Sequence, residues 1–290
     1  MRWGDFRRSD NVEEGSSTGG GGFGLGAVPI SGGVIVIAVI AGLLFGVNPL
    51  DMLGALTGGG PVVQAPAPAP GGQRAGAVDP NRDFVAAVLG STEDVWTKVF
   101  QDMGARYDPP KLHLFHGAVQ SACGQASAAS GPFYCSADRR VYLDTAFFDE
   151  LSRRFGAPGD FAQGYVIAHE VGHHVQNLLG VMDQFGRQER AGDQASRNAL
   201  SVRLELQADC FAGIWGHYVQ GQQKLDPGDI EEGLKAASAV GDDQIQKRTR
   251  GYVVPESFTH GSAEQRVRWF RTGFDSGDVR ACNTFGSRGP

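Results

Sequence analysis

The sequence predicts an α+β, helix-rich domain with a small β-sheet, preceded by one transmembrane helix. Three observations carry that expectation. Residues 15–50 contain no charged side chain, and 28–47 within them is long enough to cross a bilayer as a helix. Residues 161–179 and 195–220 repeat apolar side chains at helical spacing. Between Pro132 and Phe148 the pattern changes to β-prone Phe133, Tyr134, Val141, Tyr142 and Leu143 around an Asp138-Arg139-Arg140 turn.

In chain order, residues 1–27 read as a cytoplasmic, Gly-rich N-terminal segment. Residues 28–47 read as an uncleaved anchor, since they lack the polar face of a soluble helix. A long N-terminal region and the lack of a prompt small-x-small site argue against a signal peptide. Arg2, Arg7 and Arg8 precede this run, and no Lys or Arg follows it until Arg74, so the positive-inside rule places the N-terminus in the cytoplasm and the remainder outside. Residues 48–80, with Ala65-Pro-Ala-Pro-Ala-Pro70, read as a semi-rigid spacer. Residues 81–290 are long enough for one domain with a substantial core. Helices are expected at 91–103 and 145–155 as well. A net charge of −6 without a basic run gives no support for nucleic-acid binding. The charged stretch 263–271 reads as a solvated helix.

The four cysteines, Cys123, Cys135, Cys210 and Cys282, suit two disulfides in an extracytoplasmic domain. Three pairings are formally possible. The favoured one closes a short loop with Cys123–Cys135 and ties the C-terminal tail to the helix at 195–220 with Cys210–Cys282.

The run His169-Glu-Val-Gly-His-His174 carries the chemistry. Residues four apart share one face of a helix, so His169 and His173 can grip one metal ion. Glu170 can then address that ion's water without ligating it. In a chain with 7 histidines, a chance His-Glu-x-x-His is roughly a one-in-a-hundred event. A cation also offsets the cost of placing Glu170 in so apolar a helix. Gly180 suits the helix C-cap, and Gly172 implies close approach of another backbone. His174 points elsewhere and reads as structural. The donor set suits Zn2+ with an open position, and hence a zinc-dependent peptidase.

A third ligand is expected on the second helix. Glu205 and Asp209 are four apart; Glu205 completes a His-His-Glu set, and Asp209 can accept from the free nitrogen of a ligating imidazole. A surface pair between Glu205 and Arg203 is the competing reading. His113, His116, His217 and His260 are the other candidate ligands, and no third His follows in an HExxHxxGxxH pattern. A β-hairpin just before the motif helix makes the domain zincin-like, with an edge that could pair with an extended peptide.

Four segments, in order, carry a resemblance over nearly the whole chain. They are Gly131-Pro-Phe-Tyr-Cys135-Ser-Ala-Asp-Arg-Arg-Val-Tyr-Leu-Asp144, His169-Glu-Val-Gly-His-His174, Glu205-Leu-Gln-Ala-Asp-Cys-Phe-Ala-Gly213 and His260-Gly-Ser-Ala-Glu-Gln-Arg-Val-Arg-Trp-Phe270. The chain resembles the bacterial neutral zinc metallopeptidase family, whose Met-Arg-Trp start and single span it also matches. Ser-x-Arg-x-Glu-x-Gln-Ala-Asp, ending at Asp209, is more remotely similar to the second helix of CAAX-processing membrane zinc proteases. That likeness implies Glu205 as ligand and Asp209 as its support. The resemblance also implies that His260 lies near the cleft, where it could stabilise an oxyanion. The expected protein is thus a single-pass bacterial membrane peptidase with a periplasmic catalytic domain and a protein or peptide substrate. The alternatives are a non-catalytic zinc-binding envelope scaffold or chaperone-like module, and a structural zinc site with a fourth tight ligand.

Overall fold

The computed structural model describes residues 1–15, 80–127 and 130–286. The expected membrane helix at 28–47 lies outside them, as does the expected linker except for Pro80. Among the described residues no helix is long and apolar enough to cross a membrane.

Helices dominate, as the periodicity implies. They are α1 (Pro80–Asp102), α2 (Ala146–Arg153), α3 (Asp160–Leu178), α4 (Val181–Ala191), α5 (Gln194–Gly221), α6 (Asp229–Ala239), α7 (Asp242–Arg250) and α8 (Ala263–Ser276). The strands are β1 (Val12–Glu14), β2 (Lys111–Leu114), β3 (Ala118–Ser121), β4 (Gly124–Ser127), β5 (Phe133–Cys135) and β6 (Arg140–Leu143). The expected hairpin forms: β5 and β6 pair antiparallel with Phe133 opposite Tyr142, and Arg139 takes the left-handed turn conformation at φ 57°. It is half of a four-stranded sheet ordered β1-β2-β6-β5, while β3 and β4 make a separate two-stranded sheet.

Helix α5 runs through the core with α3 on one side and α8 on the other. Trp215 of α5 stacks on Phe161 of α3 with ring centroids 5.2 Å apart, and Phe211 meets Trp96 of α1 edge-on. On the opposite side a Cβ on Gly213 would strike the Phe270 carbonyl, and one on Gly273 would strike that of Cys210. That intimate crossing corrects the expectation of a solvated helix at 263–271. Ala263, Arg266, Phe270 and Gly273 of α8 are buried, because its charges alternate with a stripe that α5 covers.

A second correction concerns the N-terminus. Residues 1–14 are not a segment separate from the domain. Phe6 and Val12 are buried in the core, Trp3 meets Phe84 edge-on, and β1 pairs parallel to β2 with Val12 opposite Leu112. The Met1 ammonium lies 2.9 Å from both Asp160 and Asp229. Charge and glycine content drew attention away from these few apolar anchors.

The favoured disulfide pairing forms: Cys123 with Cys135, and Cys210 with Cys282 across 72 residues of sequence. Closing a loop that long removes about 4 kcal/mol of unfolded-chain entropy in the chain-entropy description. Replacing both Cys210 and Cys282 with Ser is expected to lower the denaturant midpoint markedly. An unchanged midpoint in equilibrium unfolding would contradict this role.

Candidate metal centre

The motif helix α3 lies against α5 where two backbones nearly touch. A Cβ on Gly172 would sit 2.9 Å from the Ala208 carbonyl oxygen, which is the close approach expected of a glycine inside this helix. At that distance the side chain of Glu205 reaches the imidazoles of α3. Its Oε2 is 3.2 Å from His169 Nε2 and its Oε1 is 3.4 Å from His173 Nε2. All three residues are buried, and their ligand atoms lie within 4.8 Å of one another. Ligand atoms around a tetrahedral zinc at about 2.0–2.1 Å sit about 3.3 Å apart, so the observed spacings fit such an ion. Two nitrogens and one carboxylate are also the donor types zinc takes. Among the described residues no fourth ligating side chain joins the group.

Each imidazole is fixed from behind. His169 Nδ1 lies 2.9 Å from Asp209 Oδ1. His173 Nδ1 lies 2.8 Å from Gln176 Oε1, and Gln176 Nε2 donates to the Leu204 carbonyl at 2.7 Å. With its amide nitrogen committed to α5, Gln176 offers His173 an acceptor. That assigns an N–H to His173 Nδ1 and turns Nε2 towards the site. Asp209 is itself held by Tyr165 Oη at 2.5 Å and by Arg266 Nη2 at 2.9 Å. Burial would raise the Asp209 pKa, but Arg266 and His169 hold it below the ordinary value.

Glu170 occupies a different electrostatic position. It is buried on α3 outside the three-ligand group, and its carboxylate has no hydrogen-bond partner among the described residues. Burial raises its pKa above the ordinary glutamate value, against the pull of His169 and His173. Glu205 moves the other way. Burial would raise it, but His173 and His260, with His169, hold it well below the carboxylate range.

His260 lies on the loop before α8. Asp242 of α7 anchors that loop, accepting from the backbone N–H groups of Thr259, His260 and Gly261 at 2.7, 2.6 and 3.0 Å. Asp242 Oδ1 lies 3.2 Å from His260 Nδ1. Burial alone would depress the His260 pKa, but Asp242 and Glu205 raise it.

The other histidines stand apart. His113 is on β2 opposite Glu13, His116 is exposed near Asp144, and His217 bonds the Phe274 carbonyl. His174 Nε2 lies 2.6 Å from the Asp108 carbonyl, and its Nδ1 is 3.0 Å from Tyr134 Oη, the structural use expected of it. Arg203 bonds the Thr284 carbonyl and leaves Glu205 to the centre. Sequence periodicity overlooked Gln176, Tyr165, Arg266 and Asp242. Only Gln176 carried a signal, as a polar residue one turn beyond His173 on an apolar helix.

Comparison with known proteins identifies the family. The family described as "Putative neutral zinc metallopeptidase" matches residues 1–285, and the chain belongs to it. It is 48% identical over 296 residues to the YpfJ protein of Escherichia coli, described as uncharacterized, with 99% of each chain covered. It is 45% identical over 218 residues to an uncharacterized protein of Mycobacterium tuberculosis, covering 71% of this chain and 72% of that one. No solved structure matches it.

The metal-free centre should hold a proton that zinc displaces. Both nitrogens of His169 face carboxylates, which only accept, so the ring carries two N–H groups. Although burial opposes it, Asp209 and Glu205 raise the His169 pKa to about 10. Zinc takes Nε2 in its unprotonated form, so binding near neutral pH should release about one proton. Titration calorimetry in buffers of different ionisation enthalpy measures this, and a buffer-independent heat would contradict it.

Proposed function

We propose that this chain hydrolyses peptide bonds at a zinc ion held by His169, His173 and Glu205, with Glu170 as general base. The single observation that carries this reading is the convergence of two imidazoles and one carboxylate at zinc-like spacing beside a second, uncommitted carboxylate. When bound, zinc supplies a Lewis acid and lowers the pKa of a water towards neutrality. Glu170 accepts a proton as the water oxygen adds to the peptide carbonyl carbon. It then returns that proton to the leaving nitrogen as the C–N bond breaks. Burial raises its pKa above the ordinary glutamate value, which makes it a stronger base for taking that proton. His260, with Nδ1 on Asp242, presents its other nitrogen as a donor to the developing oxyanion. Two disulfides support an extracytoplasmic setting for the domain.

Glu170→Gln is expected to bind zinc like the native protein while peptide hydrolysis falls by about 10²–10⁴-fold. Full activity with normal zinc content would remove Glu170 from the mechanism. His260→Gln is expected to lower kcat by about 10²–10³-fold with little change in KM, the signature of a donor felt only in the transition state. Steady-state kinetics in which KM rises and kcat stays constant would assign His260 to substrate binding instead.

A further inference from the structure

The packing of residues 1–14 bears on how the whole chain sits relative to a bilayer. The apolar run 28–47 separates these residues from the metal domain in sequence. One crossing by that run would put the two on opposite sides of the membrane, yet they form one packed body.

The domain's own sequence is fitted to this tail. Gly90 lies inside α1, where glycine weakens a helix relative to alanine. A Cβ there would strike the Arg7 carbonyl, and Ser9 N–H donates to the Ala86 carbonyl at 2.9 Å. Glu93 is buried in the same helix, and its hydrogen-bond partners come from the tail: Arg7 Nη2 at 2.6 Å, Ser9 Oγ at 2.5 Å and Asn11 Nδ2 at 2.8 Å. Without the tail this carboxylate would lose all three of those partners. At the motif helix, the end of the Met1 side chain lies 3.3 Å from the Cβ position of Gly164.

The arginines that suggest a cytoplasmic N-terminus have other work in the folded protein. Arg8 makes a two-pronged pair with Asp83, at 2.9 and 2.7 Å. Arg7 bonds Glu93 and Asp94, and Arg2 lies 3.7 Å from Asp226. They bind carboxylates of the domain, which explains three arginines near an apolar run without an orientation signal.

We infer that the amino-terminal segment Met1–Glu14 and the metal domain occupy one compartment, docked as a single body, and are not parted by a single membrane crossing. The end of β1 at Glu14 and the start of α1 at Pro80 then lie on the same side of any bilayer. This holds independently of the reaction at the metal centre.

All four native cysteines are in disulfides, so an added cysteine is the one free thiol. Gly4→Cys reports on the tail, since the Gly4 Cβ position has open space around it, and Arg153→Cys reports on the domain from an exposed site. The full-length chain is expressed in intact cells and treated with a membrane-impermeant maleimide, before and after lysis. The two thiols are expected to respond alike, both labelled or both protected in intact cells, and both labelled after lysis. Labelling of one in intact cells and of the other only after lysis overturns the inference. Asp10→Cys with Lys98→Cys, both exposed, gives a second pair should either first variant fail to fold.

Discussion

The centre depends on the distance between two helices. Gly172 lets α3 approach α5 until its Cα nearly meets the Ala208 carbonyl, and Glu205 lies one turn before Ala208 on that helix. A carboxylate has a short reach, and both of its oxygens must come within about 3.3 Å of ring nitrogens on another helix. A methyl group at position 172 would sit 2.9 Å from the Ala208 carbonyl oxygen, so the two backbones would have to shift apart. The glycine weakens α3 as an isolated helix, and the cost is offset because the contact it permits creates the site. Gln176 fastens the same crossing one turn further along, with its side chain in contact with both helices.

A third helix completes the electrostatics. Asp209 is fully buried, and a buried carboxylate needs partners with charge or strong donors. Arg266 supplies the charge from α8, and α8 is close enough only because Gly213 and Gly273 allow its own tight crossing with α5. Two glycine contacts on opposite sides of α5 thus serve one row of side chains: Arg266, Asp209, His169 and Glu205. Since Arg266 already balances Asp209, the His169 ring can lose a proton to a metal without leaving that carboxylate uncompensated. The Cys210–Cys282 disulfide joins the same helix to the C-terminal tail next to this row.

Local pattern made most of this legible. His169, His173, Glu205 and Asp209 were readable because a helix converts a spacing of four into a shared face, and metal chemistry restricts the residue types. The β5–β6 hairpin, the ends of α3 and α5, and the backbone contact at Gly172 follow from equally local rules. Arg266 did not, since its neighbours on α8 are charged and only the packing of α8 on α5 distinguishes it from Arg268 or Arg271. Asp242 was hidden for another reason: it works through three backbone N–H groups of a distant loop, and backbone donors leave no mark in a sequence. The N-terminal tail was misread because hydropathy averages over windows. Phe6 and Val12 are single anchors among polar residues, and their worth lies in the cavities they fill.

Glu170 is the residue on which a catalyst and a scaffold part company. A protein that only holds zinc needs His169, His173 and Glu205, and it gains nothing from a further carboxylate beside them. Placing a mostly buried carboxylate there, with no hydrogen-bond partner among the described residues, is unfavourable, and leucine or alanine would remove the penalty. Asp209 and Glu93 are also buried carboxylates, but each is matched by an arginine and by neutral donors, as structural carboxylates are. Glu170 departs from that pattern at the place where the proposed mechanism requires a proton to be taken and returned. Among the described residues the ligand group stops at three, and a catalytic zinc keeps its fourth position for water. A structural zinc would fill that position with protein and would leave the unpartnered carboxylate without a purpose.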